Sequence, residues 1–210
     1  MNILVLGAGN MGAAFVKQLS RAGHQVSVTA RNLEKAQALA TAHQGATAVA
    51  TANAAAPFEV IVLATGYADA ISALQSVGDL TGKVVIDITN PLTADYMGLT
   101  LGHSTSAAEE IAKALPEAQV VKAFNTLFAQ VLAEGADLGN GQTATVFVAS
   151  DSERAKQTAV ALAQSMGFAT IDAGGLKNAR YLEPLAGLNI YLGYGAGLGT
   201  SIAPTWLRKA

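Results

Sequence analysis

Apolar residues fall into short continuous runs that alternate with stretches in which they recur at helical spacing. The first run, residues 2–7, is apolar almost throughout, as in a strand whose two faces are both covered. Phe15, Leu19 and Ala22 then recur at the spacing of a helix over residues 11–22. The same alternation predicts further strands at residues 25–30, 47–50, 59–64, 83–88, 119–124, 143–150 and 169–172. We therefore predict an α/β protein of the Rossmann type, with a doubly wound, mainly parallel sheet and a short C-terminal βα extension.

Two helix starts are indicated by capping residues. Asn32 is a suitable N-cap for a helix after the second strand, and Ser106 and Glu109 have the spacing of a capping box. No repeat or low-complexity linker interrupts the pattern. We therefore expect one domain, residues 1–210, with a core over residues 1–150 and an extension over residues 151–210.

Composition restricts the chemistry. The 210 residues include no cysteine, which excludes disulfides, thiolate nucleophiles, iron–sulfur clusters and cysteine zinc sites. Redox chemistry must then use a bound cofactor, and we predict no metal site. The formal net charge is −2 and there is no basic run, so we expect small-molecule partners rather than nucleic acid or a membrane surface.

The two ends of the chain carry further expectations. The N-terminus has no cation before Lys17 and its apolar run is broken by glycine, unlike a signal peptide, which favours the cytoplasm. Residues 184–207 carry no charge but have too many glycine and polar residues for a membrane span of about 20 apolar residues. We expect a helix and loop that pack against the body of the protein or against a second subunit, and favour a soluble homodimer.

The sharpest motif is GAGNMG, residues 7–12, which ends the first predicted strand and opens the first helix. In this context the motif is typical of dinucleotide binding. Gly7 permits the tight turn, Gly9 lets a pyrophosphate approach the backbone, and Gly12 lets helix and strand pack closely. The helix N-terminus at Asn10 and Met11 offers amide donors to the phosphates.

The stretch SVTARNLEK, residues 27–35, follows the second strand, where NAD-preferring proteins have an acid that binds the adenosine ribose. Here the strand ends at Thr29 and is followed by Arg31, with Lys35 a turn later. Arg31 can bond a 2′-phosphate, and Thr29 and Lys35 can supply further donors. This pattern favours NADP(H), against the alternative of a solvated arginine in a loop.

Two more strand ends lie over the same predicted crevice. ATGY, residues 64–67, contributes Thr65, Gly66 and Tyr67, and DITNPL, residues 87–92, contributes Asn90 and Pro91. The nicotinamide-ribose half of a dinucleotide would pass here. By position alone, residues 90 and 91 could equally form a plain turn, and the acid at residue 87 could be a capped strand end.

GAGNMG, VTARN, DITNPL, VVKAFNTL and DAGGLKNARYLEPLAGL occur in that order, and together they resemble the NADPH-dependent coenzyme F420 reductase family. The resemblance spans nearly all of the chain, and the same module is similar to the nucleotide domain of the STEAP metalloreductases. It implies hydride exchange between NADP(H) and a deazaflavin, coenzyme F420, or, as in the STEAP proteins, a flavin such as FMN or FAD.

The resemblance also implies the position of the redox acceptor. The segment matching KAFNTLFA would form a floor for the reacting rings, with Asn125, Thr126 and Leu127 against them. Some F420 reductases have histidine at the position of Asn125 and proline at that of Phe128, so a flavin stays open as the acceptor. Arg180 would lie near the acceptor entrance and assist the anionic tail of F420, unless it is simply a surface charge.

Hydride passage between two rings needs close stacking and water exclusion more than a protonated side chain, so we name no catalytic acid or base. Two alternatives stay open. One is a sensor that binds NADP(H) without turnover. The other is a small imine or hydroxyacid reductase, although such enzymes usually need a large helical second domain, for which the extension leaves little room.

Overall fold

The structure is a computed structural model that describes residues 1–139, 141–206 and 209. Its strands are β1 Asn2–Leu6, β2 Gln25–Thr29, β3 Ala46–Ala48, β4 Val60–Leu63, β5 Val84–Asp87, β6 Gln119–Lys122, β7 Asp137–Gly139, β8 Gln142–Thr143, β9 Thr145–Val148 and β10 Ala169–Asp172. Its α-helices are α1 Asn10–Arg21, α2 Leu33–Thr41, α3 Ala70–Ser76, α4 Ala107–Ala114, α5 Ala129–Glu134, α6 Glu153–Ser165 and α7 Ala179–Ile190. Short 3₁₀ turns cover Tyr67–Asp69 and Leu176–Asn178, and a π-helix over Tyr191–Gly195 continues α7.

Six parallel strands form the main sheet in the order β3-β2-β1-β4-β5-β6. The order reverses beside β1, so the carboxyl ends of β1 and β4 border the crevice where open α/β sheets bind ligands. An antiparallel bridge between Lys122 and Ala149 joins the end of β6 to the end of β9, and β10 pairs parallel with β9. The predicted α/β fold, with a doubly wound and mainly parallel sheet, is confirmed.

The central strand separates two hydrophobic cores because successive side chains of a strand point to opposite faces. Ile3 and Val5 belong to the core that contains Phe15 of α1, whereas Leu4 and Leu6 belong to the opposite core. All four of these strand residues are buried. This two-sided burial is why the first strand has an unbroken apolar sequence.

One predicted strand is divided in the structure. Of residues 143–150, Thr143 ends β8, which pairs antiparallel with β7 in a separate hairpin, and β9 begins at Thr145. Between them the Ala144 N–H donates to the Ala136 carbonyl oxygen, 2.7 Å away. The hairpin gave no sequence signal because its strands are short and lack apolar alternation.

The C-terminal segment forms a helix and then turns back. After the π-helix, described residues 196–206 return along β9, where the Thr205 hydroxyl lies 3.0 Å from the Thr145 hydroxyl. The Trp206 ring meets the Phe147 ring edge to face at 5.3 Å between centroids. Leu207, the last residue of the charge-free segment, lies outside the described residues. Within the described chain, no helix has the length and apolar character needed to cross a membrane.

Candidate functional site

The loop between β1 and α1 depends on its three glycines in three different ways. Gly7 has a φ of +126°, and a Cβ there would lie 2.3 Å from the Ala64 carbonyl oxygen. A Cβ on Gly12 would lie 2.0 Å from the Gly7 carbonyl oxygen, so helix and strand pack at backbone distance. A Cβ on Gly9 would meet no atom within 4 Å. The loop therefore has no room for a side chain at Gly7 and Gly12, whereas the space beside Gly9 is open.

The N-terminus of α1 borders this open space. Its N-cap, Gly9, makes no side-chain capping bond, and the first helical turn contains no acidic residue. The first amide N–H groups of a helix lack intrahelical acceptors and attract anions. The amides at Asn10 and Met11 are therefore free of an acidic cap, and the cradle at Gly9 fits a pyrophosphate.

A cleft of about 590 Å³ extends from the glycine loop across the carboxyl ends of β2 and β4, and we call it the nucleotide cleft. Arg31 and Lys35 line one wall, and Thr65, Gly66 and Asp69 line the other. The predicted strand-end residues from two separate parts of the chain therefore lie in one cleft.

The cations of the nucleotide cleft are placed by the start of α2. The Asn32 side chain accepts a hydrogen bond from the Lys35 N–H at 3.1 Å, which makes Asn32 the N-cap that was predicted. The Arg31 side chain is 87% exposed and pairs with Asp69 at 3.1 Å, so its guanidinium lies in solvent at the edge of the cleft. Asp69 was not expected from the sequence.

Thr29 stands behind this cleft rather than in its lining. Its side chain is fully buried, and its hydroxyl lies 3.0 Å from the Thr51 hydroxyl. Thr51 itself lines the cleft. The expectation that Thr29 donates directly to the ligand is not supported by this geometry, because its hydroxyl already has a partner and Thr51 lies between it and the cleft.

A second cavity of about 580 Å³ lies on the other side of the glycine loop, and we call it the ring cavity. Asn10 and Met11 line it at the start of α1, and Asn90 lines it after β5. Residues 125–127, which we call the floor, line it after β6. Further lining comes from residues 95–97 and from α7 and the π-helix, through Ala186, Asn189, Ile190 and Tyr194.

The floor is presented by an unusual backbone turn. Phe124 has a φ of +61°, a left-handed conformation that is rare for a bulky side chain and is found where structure imposes it. Its fully buried ring packs edge to face with Phe15, 5.0 Å between centroids, and with Phe168. The turn ends β6 and directs the floor across the edge of the sheet.

Hydrogen bonds fix the floor from two sides. The Asn90 side-chain amide donates to the Asn125 carbonyl oxygen at 2.9 Å, and the Asn125 amide donates to Asn90 Oδ1 and to the Leu182 carbonyl oxygen, each at 3.0 Å. The Asn189 amide donates to the Thr126 carbonyl oxygen at 3.1 Å. The floor is thereby tied to the end of β5 and to α7.

Several buried polar atoms at this edge of the sheet have no hydrogen-bond partner in the described structure. They are the hydroxyl oxygens of Thr65, Thr89 and Thr126 and Oδ1 of Asn125. An unpaired buried polar group costs about 1–3 kcal/mol, and such groups are few in native proteins. Their concentration at the carboxyl ends of β4, β5 and β6 is typical of a functional site.

A buried ionic cluster lies beneath the floor. Lys122 Nζ is 2.8 Å from Asp87 Oδ2 and 2.8 Å from Glu183 Oε1, and it donates to the Thr89 carbonyl oxygen at 2.6 Å. We call Asp87, Lys122 and Glu183 the buried triad. Lys122 and Glu183 were not predicted from the sequence, although a lysine inside a strand with both faces covered is a signal of a buried partner.

Other predicted residues lie outside the lining of the ring cavity. The Arg180 guanidinium donates to both carboxylate oxygens of Glu109, at 2.7 and 2.8 Å, and the hydrogen bond from Arg180 is the main cause of the lowered pKa of Glu109. Arg180 is therefore paired with Glu109 and does not line the ring cavity, and its expected position near the acceptor entrance stays a prediction. Pro91 is buried and accepts through its carbonyl from the Thr100 N–H at 2.7 Å. Tyr67 follows residues 65 and 66 of the nucleotide cleft and is partly buried, and burial raises its pKa.

The switch-point crevice, the glycine loop and the two cavities that flank it define a Rossmann-type protein built for a dinucleotide-like ligand. Residues 2–91 match the family model described as NADP oxidoreductase coenzyme F420-dependent. The F420-dependent NADP reductase of Methanothermobacter marburgensis is 32% identical over 212 residues, which cover 91% of this chain and 92% of that protein. The chain belongs to this family of F420-dependent NADP oxidoreductases.

Two further comparisons agree with this assignment. The metalloreductase STEAP3 of Rattus norvegicus is 33% identical over 182 residues, which cover 86% of this chain and 35% of STEAP3. The chain thus spans about a third of the length of that relative. The crystal structure of a candidate F420-dependent NADP reductase from Arthrobacter sp. FB24 superimposes with a TM-score of 0.87 at 30% identity, covering 99% of this chain and all of the other.

Proposed function

We propose that the chain is an NADP(H)-dependent oxidoreductase that transfers hydride between NADPH and a flat ring acceptor, either a deazaflavin such as coenzyme F420 or a flavin. The observation that carries this proposal is the pair of cavities on the two sides of the glycine loop. The nucleotide cleft contains cations at the position that would contact the adenosine ribose, and the ring cavity has a floor against which two rings can stack. The names of the relatives, F420-dependent NADP reductases, support the same reading.

At the nucleotide end, the pyrophosphate would lie over Gly9 and accept from the amides at the start of α1. The 2′-phosphate would lie against Arg31 and Lys35, which line the same cleft. A guanidinium binds a phosphate through charge-assisted and often bidentate hydrogen bonds. This arrangement favours NADP(H) over NAD(H), which offers only the two ribose hydroxyls.

The nicotinamide half would run from residues 65–67 past Asn90 to the floor, with Pro91 as backing. When bound, the reduced nicotinamide supplies a hydride, which reduces the acceptor ring and leaves NADP⁺. The protein contributes orientation and a dry surface. Met11, Ile88 and Leu127 line the ring cavity with apolar groups, which exclude water and hold the rings close.

The experiment is anaerobic oxidation of NADPH by a panel of acceptors: F420, FMN, FAD and ferric chelates. We expect turnover with F420 or with a flavin, and much slower turnover when NADH replaces NADPH. Binding of NADPH with no turnover on any acceptor would favour the sensor alternative. Turnover of imines or hydroxyacids, with none of the ring acceptors reduced, would favour the small-reductase alternative.

We also propose that two copies of the chain associate through α7. Three large side chains recur on one helical face and are exposed: Tyr181 by 74%, Leu188 by 55% and Tyr191 by 51%. Trp206, in the returning segment, is 61% exposed. Exposed apolar groups in such density favour a protein interface.

Sedimentation should show a dimer for the native chain and a monomer for Leu188→Glu. Leu33→Glu, an exposed position on α2, is the matched control and should stay dimeric. A native monomer would contradict the proposal.

A further inference from the structure

Three charged side chains are removed almost completely from solvent beneath the ring cavity. Asp87 and Lys122 are 0% exposed and Glu183 is 1% exposed. We propose that this buried triad is a set of positioning residues that hold the floor in the geometry needed for acceptor binding. The inference rests on the proposed function in one respect, because it takes the floor as the surface that receives the acceptor ring.

Hydrogen bonds and ion pairs join the members of the triad around the lysine. Lys122 Nζ donates to Asp87 Oδ2 at 2.8 Å and to the Thr89 carbonyl oxygen at 2.6 Å, and it forms an ion pair with Glu183 Oε1 at 2.8 Å. Asp87 Oδ1 also accepts from the Thr89 N–H at 2.8 Å. Hydrogen bonds therefore fix Asp87 and Lys122 in direction as well as distance, and the ion pair holds Glu183 against Lys122.

Glu183 extends the cluster to a helix end. Its carboxylate accepts from the Ala107 N–H at 2.9 Å and from the Ala108 N–H at 3.2 Å, which are the first two residues of α4. The positive end of the α4 dipole favours a carboxylate there. One carboxylate thus joins α7, α4 and the end of β6 at a single point.

Each member of the triad is close in sequence to a residue that holds the floor. Asp87 precedes Asn90 by three residues, Lys122 precedes Asn125 by three, and Glu183 follows Leu182 directly. Asn90, Asn125 and the Leu182 carbonyl form the hydrogen-bonded layer described above. A displacement of one ion would therefore move one anchor of this layer.

A contribution to stability does not by itself account for the buried triad. Burying charges carries a desolvation penalty, and well-packed apolar residues are often as stabilising as a buried ion pair. A hydrogen bond joins β6 to β5 and an ion pair joins β6 to α7, and these contacts between particular atoms give what apolar packing does not, a fixed relative position of the three elements. That is the property that the floor requires.

The test compares two variants that each neutralise one glutamate at the contact of α4 with α7. Glu183→Gln places an amide donor among N–H donors and breaks the triad. Glu109→Gln removes the ion pair with Arg180, which joins the same two helices at a partly exposed position, and leaves the capping box intact because glutamine also serves at that position.

We expect Glu183→Gln to raise the KM for the acceptor by roughly tenfold, the effect of about one lost charge-assisted bond. It should also accelerate hydrogen–deuterium exchange in residues 123–129, while the Kd of 2′-phospho-ADP-ribose, which lacks the nicotinamide and does not reach the floor, changes by less than about twofold. Glu109→Gln should leave the acceptor KM and this exchange unchanged. Asp87→Asn serves as a second triad variant in case Glu183→Gln does not fold.

Unchanged exchange in residues 123–129 in a folded triad variant, or an equal effect in Glu109→Gln, would overturn the proposal and leave the triad as a general contribution to stability. Failure of all triad variants to fold would also overturn it. The exchange measurement does not need turnover. If the native protein reduces no acceptor, the proposed function fails, while accelerated exchange in residues 123–129 would still show that the triad holds the floor.

Discussion

Replacement of Arg31 by alanine is the sharpest test of the nucleotide assignment. The guanidinium lies at the edge of the nucleotide cleft, paired with Asp69 at 3.1 Å and 87% exposed. A charge-assisted hydrogen bond contributes about 1.5–3 kcal/mol net, and solvent screening at this exposed position places the value at the lower end. Arg31→Ala should therefore weaken NADPH binding by roughly tenfold, since about 1.4 kcal/mol is a factor of ten. NADH lacks the 2′-phosphate, so its affinity should change little.

The Asp69 carboxylate gives a control of opposite sign. A 2′-phosphate bound by Arg31 would lie near this carboxylate. The two negative charges of the phosphate and the single charge of Asp69, at a distance of roughly 6 Å, repel by about 1.4 kcal/mol in water before screening. Physiological salt reduces this repulsion to about half. Asp69→Asn should therefore tighten NADPH binding by roughly threefold. It should leave NADH almost unchanged.

Calorimetric titration of NADPH and NADH into the native protein and both variants measures these differences. Added salt should weaken NADPH binding to the native protein more than to Arg31→Ala, because the interaction removed is ionic. Equal losses for the two nucleotides in Arg31→Ala would refute the reasoning. Arg31 would then support the fold or stack on adenine without reading a phosphate.

Three further predictions follow from the geometry. Leu127→Trp should abolish turnover by obstructing the ring cavity, while titration shows unchanged affinity for 2′-phospho-ADP-ribose, which carries the adenosine end of the nucleotide without the nicotinamide; full turnover would mean that the floor has been placed wrongly. Gly9→Ala should have the native melting temperature but bind NADPH more weakly, because its Cβ meets no protein atom within 4 Å. Gly12→Ala should have a lower melting temperature, because its Cβ would lie 2.0 Å from a carbonyl oxygen. A lower melting temperature for Gly9→Ala than for Gly12→Ala would contradict the roles assigned to the two glycines. Because Arg180 lowers the pKa of Glu109 from 4.5, their pair stabilises the fold above that pH and loses this effect as pH falls through the lowered pKa. Arg180→Met should therefore cost stability in denaturant melts at pH 7 and little in strong acid, and a cost that does not depend on pH would exclude the ion pair as its source.

Local patterns predicted the α/β fold and part of the nucleotide cleft, namely the glycine loop, Arg31 and Lys35. A glycine loop acts within one βα turn, so the packing of Gly7 and Gly12 follows from adjacent residues. The strand that precedes Arg31 could be predicted from its apolar residues, and Asn32 marked the start of α2. These features depend on contacts that are short in sequence.

Contacts between distant residues could not be predicted in this way. Lys122 and Asp87 are 35 residues apart, and they meet because β5 and β6 are neighbours in the sheet, in a register that places the two residues opposite each other. The resemblance predicts Arg180 near the acceptor entrance, but its pairing with Glu109, 71 residues away, could not be predicted from a local pattern. The signal of a buried charge was present in the sequence, but its partners depended on the topology.

The two halves of the site use charge in opposite ways. Arg31 and Asp69 are 87% and 48% exposed, so solvent and salt weaken their interactions, whereas the members of the buried triad are at most 1% exposed and are screened far less. Salt should therefore raise the Kd of NADPH and leave the geometry of the floor unchanged. For an acceptor with a neutral ring, we therefore expect the KM, measured at saturating NADPH, to be insensitive to salt. Parallel salt dependence of the two constants would mean that the acceptor also binds through exposed charge, and the floor would then not be its main determinant.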